Sequence, residues 1–173
     1  MTTAPPRLGG TRLVAVDGPS GAGKTTFAQE LAAQLDAQLI STDHFATWDD
    51  PTTRWWPRLV RALDQVEQGR EGRYRKTDWS QGFPCIGEGD EVVITPQRTI
   101  VLEGFSSARK SNTRLSLAIF VDHPNQQERL ERATKRDGEH QREHFIRWQH
   151  YERGWFAVDE TRARADYVVT SSS

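Results

Sequence analysis

The sequence predicts an α/β fold, a parallel sheet covered by helices on both faces. Three observations predict it. Short apolar runs of the kind that make buried strands alternate with stretches of helical period. A glycine-rich turn joins the first run to the first helix. Acidic residues stand where several runs end, which is the ligand side of an open α/β sheet. The chain has 173 residues, the length of one domain. It carries 6 Trp, 3 Tyr and 7 Phe at a net charge of −1, too much apolar surface and too little charge for wholesale disorder.

Residues 1–10 read as a flexible arm and residues 11–173 as the single domain. Residues 11–17 hold Leu13, Val14, Ala15 and Val16 without a break, the pattern of a buried strand. After the turn at 18–23, Phe27, Leu31 and Leu35 recur every four residues on one helix face. Residues 38–41 form a short strand. Residues 44–50 are loop, with Pro51 placed to open the next helix. Trp55, Leu59, Ala62, Leu63 and Val66 stripe that helix, and Gly69 stops it. Residues 70–97 hold Gly72, Gly82, Pro84, Gly87, Gly89 and Pro96 and read as an irregular insert with one or two short strands, of the kind that forms binding loops. Residues 99–103, 117–122 and 166–170 are further strands; 126–137 and 143–158 are helices.

Several classes fall away. No apolar run approaches the roughly 18 residues of a membrane span. The first ten residues lack the apolar core of a secretory signal. The single cysteine, Cys85, has no intrachain partner and reads as packing. These features predict a cytoplasmic protein without a membrane partner. Near-neutral charge argues against a nucleic-acid partner. The five histidines show no metal-ligand spacing. Oligomeric state stays open.

Gly18-Pro-Ser-Gly-Ala-Gly-Lys-Thr25 satisfies G-x-x-x-x-G-K-[ST] between a strand and a helix. Glycines let successive N–H groups turn inward, and the helix that follows aims the positive end of its dipole at the same place. Gly18, Pro19, Ser20, Gly21, Ala22, Gly23, Lys24, Thr25 and Thr26 are therefore the candidate nucleotide-binding residues. Lys24 supplies a cation for the β- and γ-phosphates. The Thr25 hydroxyl suits Mg²⁺, a hard ion that prefers oxygen.

Three acids end strands. Asp17 adjoins the loop and reads as its brace. Asp43, in a polar turn after residues 38–41, stands where an acceptor hydroxyl would meet the γ-phosphate; it is the candidate base, or a Mg²⁺ ligand through water. Glu103 follows a buried strand, where a charge needs a partner, and joins Thr25 and Asp43 as a candidate metal or acceptor ligand. The choice of base between Asp43 and Glu103 stays open. Arg129, Arg132 and Arg136 fall at i, i+3 and i+7, one helix face. An anion between them would relieve their repulsion, so Arg132 and Arg136 join Lys24 and Asp43 as candidate catalytic residues. Residues 126–142 form a lid region that excludes water on closing. His44, Trp48, Asp78 and Trp79 are candidate acceptor-binding residues. Trp148, Tyr151 and Trp155 form a packing stripe.

Asp17-Gly-Pro-Ser-Gly-Ala-Gly-Lys-Thr-Thr26, Ser41-Thr-Asp-His-Phe45, Val101-Leu-Glu-Gly104 and the run from Arg129 to Asp137 occur in order. Together they resemble the uridine kinase group of P-loop kinases, relatives of phosphoribulokinase and pantothenate kinase. The resemblance runs from about residue 12 to 169. It implies a P-loop NTPase three-layer sandwich, with a five-stranded parallel sheet of order 2-3-1-4-5 and a small lid. It implies ATP or GTP as donor, Mg²⁺, and transfer of the γ-phosphoryl group to a hydroxyl of a small molecule, a nucleoside first. Asp43 then corresponds to the base, and Arg132 and Arg136 to the lid helix. Two departures bear on the acceptor. Ala46 replaces the tyrosine that follows the aspartate turn, and Lys76-Thr-Asp-Trp79 stands where the base-reading histidine is found. Rival readings are a regulatory nucleotide-binding module and a metabolite or antibiotic phosphotransferase. A switch GTPase would carry N-K-x-D after a strand; Asp122-His-Pro-Asn125 stands there instead.

Overall fold

β1 (Arg12–Asp17) takes the centre of the sheet because five of its six side chains are buried, leaving no solvent face. The structure, a computed structural model, describes residues 4–46, 55–80 and 87–170. The remaining elements are α1 (Lys24–Leu35), β2 (Gln38–Ser41), a 3-10 turn (Thr42–His44), α2 (Trp56–Glu67), β3 (Gly72–Asp78), β4 (Gly87–Ile94), β5 (Thr99–Glu103), β6 (Leu115–Asp122), α3 (Gln126–Asp137), a 3-10 turn (Glu139–Gln141), α4 (Arg142–Asp159), α5 (Thr161–Arg164) and β7 (Tyr167–Thr170). The sheet runs β2-β5-β1-β6-β7, parallel at every pairing. Counted by the strands of that sheet alone, this is the expected order 2-3-1-4-5.

Alternation along the strands divides the core. Val16, Val101 and Val121 pack against Ala28, Ala32, Phe27 and Leu31 of α1. Leu13, Ile40, Ile100 and Leu102 meet Leu59, Ala62, Leu63 and Val66 of α2 from the other side. Full burial of each such aliphatic side chain contributes about 1.5–3 kcal/mol, so both layers hold the strand ends firmly. α4 presents Trp148, Trp155 and Phe156 to Phe105, and Phe156 also meets Phe120 of β6.

Two expectations are corrected. Residues 70–97 are not mainly irregular: β3 and β4 pair as an antiparallel ladder. The ladder was hidden because its outer face is almost wholly charged, while Gly72, Tyr74, Thr77 and Ile94 are the buried positions of the two strands. The arm is tied down near its end. Leu8 is fully buried among α2 and β1 residues, and Leu8 and Thr11 exchange backbone hydrogen bonds. The second helix begins at Trp56, with proline (Pro57) in its first turn; the start expected at Pro51 lies outside the described residues, as do Trp48 and Cys85. Among the described residues no helix is long and apolar enough to cross a membrane.

Candidate active site

Register brings the strand ends level. Val16 lies opposite Glu103, and Glu103 opposite Ser41, so the chain turns off β1, β5 and β2 at one height. The glycine-rich loop leaves β1 there. Ala22 N–H donates to Pro19 O at 3.2 Å within the loop. Lys24 Nζ rests on Pro19 O at 3.0 Å. Gly23, the N-cap of α1, has no side chain to cap the first-turn amides. Gly21 has φ +76°, and a Cβ there would lie 2.3 Å from Arg129 O. The α3 backbone therefore sits directly on the loop, and only glycine permits it.

Asp17 is the brace the sequence suggested. It is fully buried and accepts from the N–H groups of Gly18 (2.7 Å), Ser106 (3.1 Å) and Ala108 (2.9 Å). Burial pushes its carboxyl up to about 7, against the pull of these donors and of Lys24. Glu103 accepts from Thr25 Oγ1 at 2.9 Å and Ser41 Oγ at 3.3 Å. Its carboxyl too is raised by burial, with Lys24 lowering it and Asp43 adding to the rise.

Asp43 is exposed in the 3-10 turn, which Ser41 caps: Asp43 N–H donates to Ser41 Oγ at 3.2 Å. The hairpin lies over this turn. Trp79 Nε1 donates to Asp43 O at 3.3 Å, Thr77 Oγ1 donates to Ala46 O at 3.0 Å, and His44 Nδ1 and the Tyr74 hydroxyl lie 2.8 Å apart. Burial lowers the His44 pKa, with Lys76 adding to the fall and Asp43 opposing it. Asp78 is used locally: it accepts from Ser80 N–H at 2.9 Å, which holds its pKa down.

The arginine helix is divided. Arg136 pairs with Asp137 through two hydrogen bonds (2.8 and 2.6 Å), and its charge also interacts with Asp43 and Glu103. Arg132 is exposed one turn earlier. Arg129 does not share an anion with them. It is buried and donates to His123 O, because α3 packs that face against the loop.

Two charged groups escaped the sequence reading. Glu152 is 1% exposed and meets Ser20 and Trp148. The only sequence signal was an acid at i+4 from Trp148 on an aromatic helix face, where a buried charge requires a partner. Arg109 is buried against the rings of Trp56 (4.7 Å), Trp155 (5.0 Å) and Trp55 (5.4 Å). Burial lowers its pKa, while Asp159 and Asp17 favour the charge.

Thr25, Ser41, Asp43 and Glu103 form an all-oxygen set. Among the described residues no three or more His, Cys, Asp or Glu side chains form a metal cage. A sparse oxygen set fits Mg²⁺, which keeps several waters and takes few protein ligands.

The chain is similar to known proteins over this same region. A 126-residue stretch is 26% identical to the inorganic pyrophosphatase TTM2 of Arabidopsis thaliana, covering 65% of this chain and 18% of that protein. A 69-residue stretch is 46% identical to a bifunctional pantoate ligase/cytidylate kinase of a Synechococcus strain, covering 39% of this chain and 11% of that one. The chain thus spans less than a fifth of either relative. A structure described as a possible uridine kinase from Bacillus stearothermophilus superposes with TM-score 0.64 at 19% identity, over 98% of this chain and 91% of that one. D-glycerate 3-kinase from Cryptococcus neoformans gives 0.60 at 13%, over 82% and 78%. Shikimate kinase from Acinetobacter baumannii gives 0.51 at 15%, over 94% and 85%. These likenesses share the fold of the P-loop kinases. Residues 13–167, nearly the whole chain, match the family described as AAA domain (AAA_33), and the chain belongs to it.

Proposed function

We propose that this protein is a Mg²⁺-requiring kinase that moves the γ-phosphoryl group of ATP or GTP to a hydroxyl of a small molecule, a nucleoside as first choice. The observation that carries this reading is the convergence of Thr25, Ser41 and Glu103 beside the loop, with the charges of Asp43 and Arg136 in electrostatic reach of Glu103. The α1 amides and Lys24 hold the β- and γ-phosphates. Thr25 and Glu103, with Asp43 through water, would hold Mg²⁺, which would supply charge compensation for the phosphate oxygens. Asp43 orients the acceptor hydroxyl and takes its proton. The acceptor oxygen then bonds to the γ-phosphorus as the β–γ bridging bond breaks and the nucleoside diphosphate leaves. Arg136, with Arg132 behind it, stabilises charge on the transferring group. Such catalysis is positioning and electrostatics. His44, Trp79 and Tyr74 line the acceptor side. The reading places the protein in the cytoplasm, with neither nucleic acid nor membrane as partner.

The test is ADP release against nucleosides, sugars, glycerate, shikimate, pantothenate and aminoalcohols. At least one acceptor should raise release above the water background. Lys24→Ala should lose nucleotide binding. Asp43→Asn should keep nucleotide and lose about 100-fold or more in kcat. Nucleotide binding with no productive acceptor would favour a regulatory module, and normal turnover in Asp43→Asn would take the base role from Asp43.

A further inference from the structure

The loop is held from outside itself. Ser20 N–H donates to both Glu152 oxygens, at 2.9 and 3.1 Å. Ser20 Oγ donates to Glu152 Oε1 at 2.5 Å. Trp148 Nε1, one turn earlier on α4, donates to the same oxygen at 2.7 Å and lies 2.9 Å from Ser20 Oγ. The next loop residue, Gly21, lies under the α3 backbone at Arg129. Both helices flanking the lid turn therefore grip consecutive residues of the loop. Charge-assisted bonds of this kind, buried, are strong and cost much to leave unmade.

The loop's donors are thereby divided. The first-turn amides of α1 have no side-chain cap. Ser20's amide and hydroxyl are already engaged by protein. The carboxylate thus occupies a different set of donors from the one that α1 offers to phosphate. We infer that Glu152, held by Trp148, is a positioning residue for nucleotide binding: it fixes Ser20 from the lid side and keeps the loop shaped for a polyphosphate. Ser20 is then an anchor of the loop rather than a phosphate ligand. Burial raises the Glu152 carboxyl, while Lys24 and the donors on Ser20 and Trp148 pull toward its ionised form. Glu152 in turn favours the charge on Arg129.

This inference rests on the kinase reading, since it concerns nucleotide affinity. The experiment is MgATP calorimetry on the intact chain, with a melting curve for each variant and KM measured for both substrates. Glu152→Ala should weaken MgATP binding about tenfold or more. It should raise nucleotide KM and leave acceptor KM within about twofold. Glu152→Gln, which retains an acceptor oxygen, should recover part of the affinity. Once Glu152 is Ala, Ser20→Ala should add less than about twofold. A merely structural role would lower the melting temperature and the active fraction, without changing the affinity of folded molecules or producing that non-additivity. Folded Glu152→Ala that binds MgATP as tightly as the native chain, or more tightly, overturns the inference. If Glu152→Ala does not fold, Trp148→Phe decides: about threefold weaker binding supports the clasp, and unchanged affinity overturns it. Native protein that binds no MgATP would overturn the kinase reading as well; unchanged affinity in the variants alone overturns only the clasp.

Discussion

Tyr74 joins the hairpin to the aspartate turn through one hydroxyl, 2.8 Å from His44 Nδ1. Burial raises the tyrosine pKa, so the hydroxyl stays neutral, and burial also keeps His44 toward its neutral form. A neutral pair of this kind is worth about 1 kcal/mol. Tyr74→Phe should therefore lower the melting temperature by roughly 2–4 °C, as that energy does in a domain of about 150–250 residues. It should raise acceptor KM several-fold and leave MgADP affinity within about twofold, as read by kinetics and calorimetry. The reverse pattern would detach the hairpin from the acceptor. His44 was visible in the sequence because it follows Asp43. Tyr74 was not, because it lies 30 positions away in a strand whose other face is charged.

The hairpin and α3 are held by close approach rather than by ion pairs. The outer ladder joins Arg73 to Glu71 and Glu91, Arg75 to Glu88 and Lys76 to Asp90, all substantially exposed. Such pairs contribute little. The inner face instead packs Tyr74 and Ile94 on α2, and Gly72 lets the strand touch the helix backbone: a Cβ there would lie 2.2 Å from Ala62 O. In the sequence this glycine looked like a loop residue, because a glycine chosen for close approach and one chosen for a turn are spelled alike. The same physics yields a prediction for α3. Gly21→Ala suffers both the positive φ and a collision with Arg129 O, whereas Gly23→Ala, at φ +91°, has no atom within 4 Å of its new Cβ. Gly23→Ala should cost about 1–2 kcal/mol in urea unfolding, the strain of a left-handed residue. Gly21→Ala should cost clearly more. Equal losses would mean that α3 yields freely from the loop.

The molecule as a whole gathers three buried carboxylates, Asp17, Glu103 and Glu152, within the influence of Lys24. Burial raises the pKa of each. An acid whose folded pKa lies above its unfolded value binds more protons when folded, so its stabilisation is greatest below the unfolded pKa and declines as pH rises through the folded one. For Asp17 that window runs from 3.8 to about 7. Unfolding free energy, followed by urea titration, should therefore fall as pH rises across this interval, and Asp17→Asn should flatten the fall. A profile unchanged by Asp17→Asn would mean that the three N–H donors keep this carboxylate ionised throughout. Binding of Mg²⁺ and nucleotide should follow the opposite course, improving with pH as Glu103 ionises.

By itself the amino-acid order determined the glycine-rich turn between strand and helix, the alternation of strands and helices, and the acids at strand ends. These depend on contiguous residues: backbone freedom at glycine, apolar runs and helical period are local properties. Tertiary structure decided the partners. Glu103 reaches Thr25 across 78 positions, and Glu152 reaches Ser20 across 132. Arg129 turned inward onto His123 O while Arg136 stayed exposed and paired with Asp137, although both share a helix face by spacing. Helical period fixes which residues are neighbours on one element; sheet register and helix docking fix what those neighbours meet.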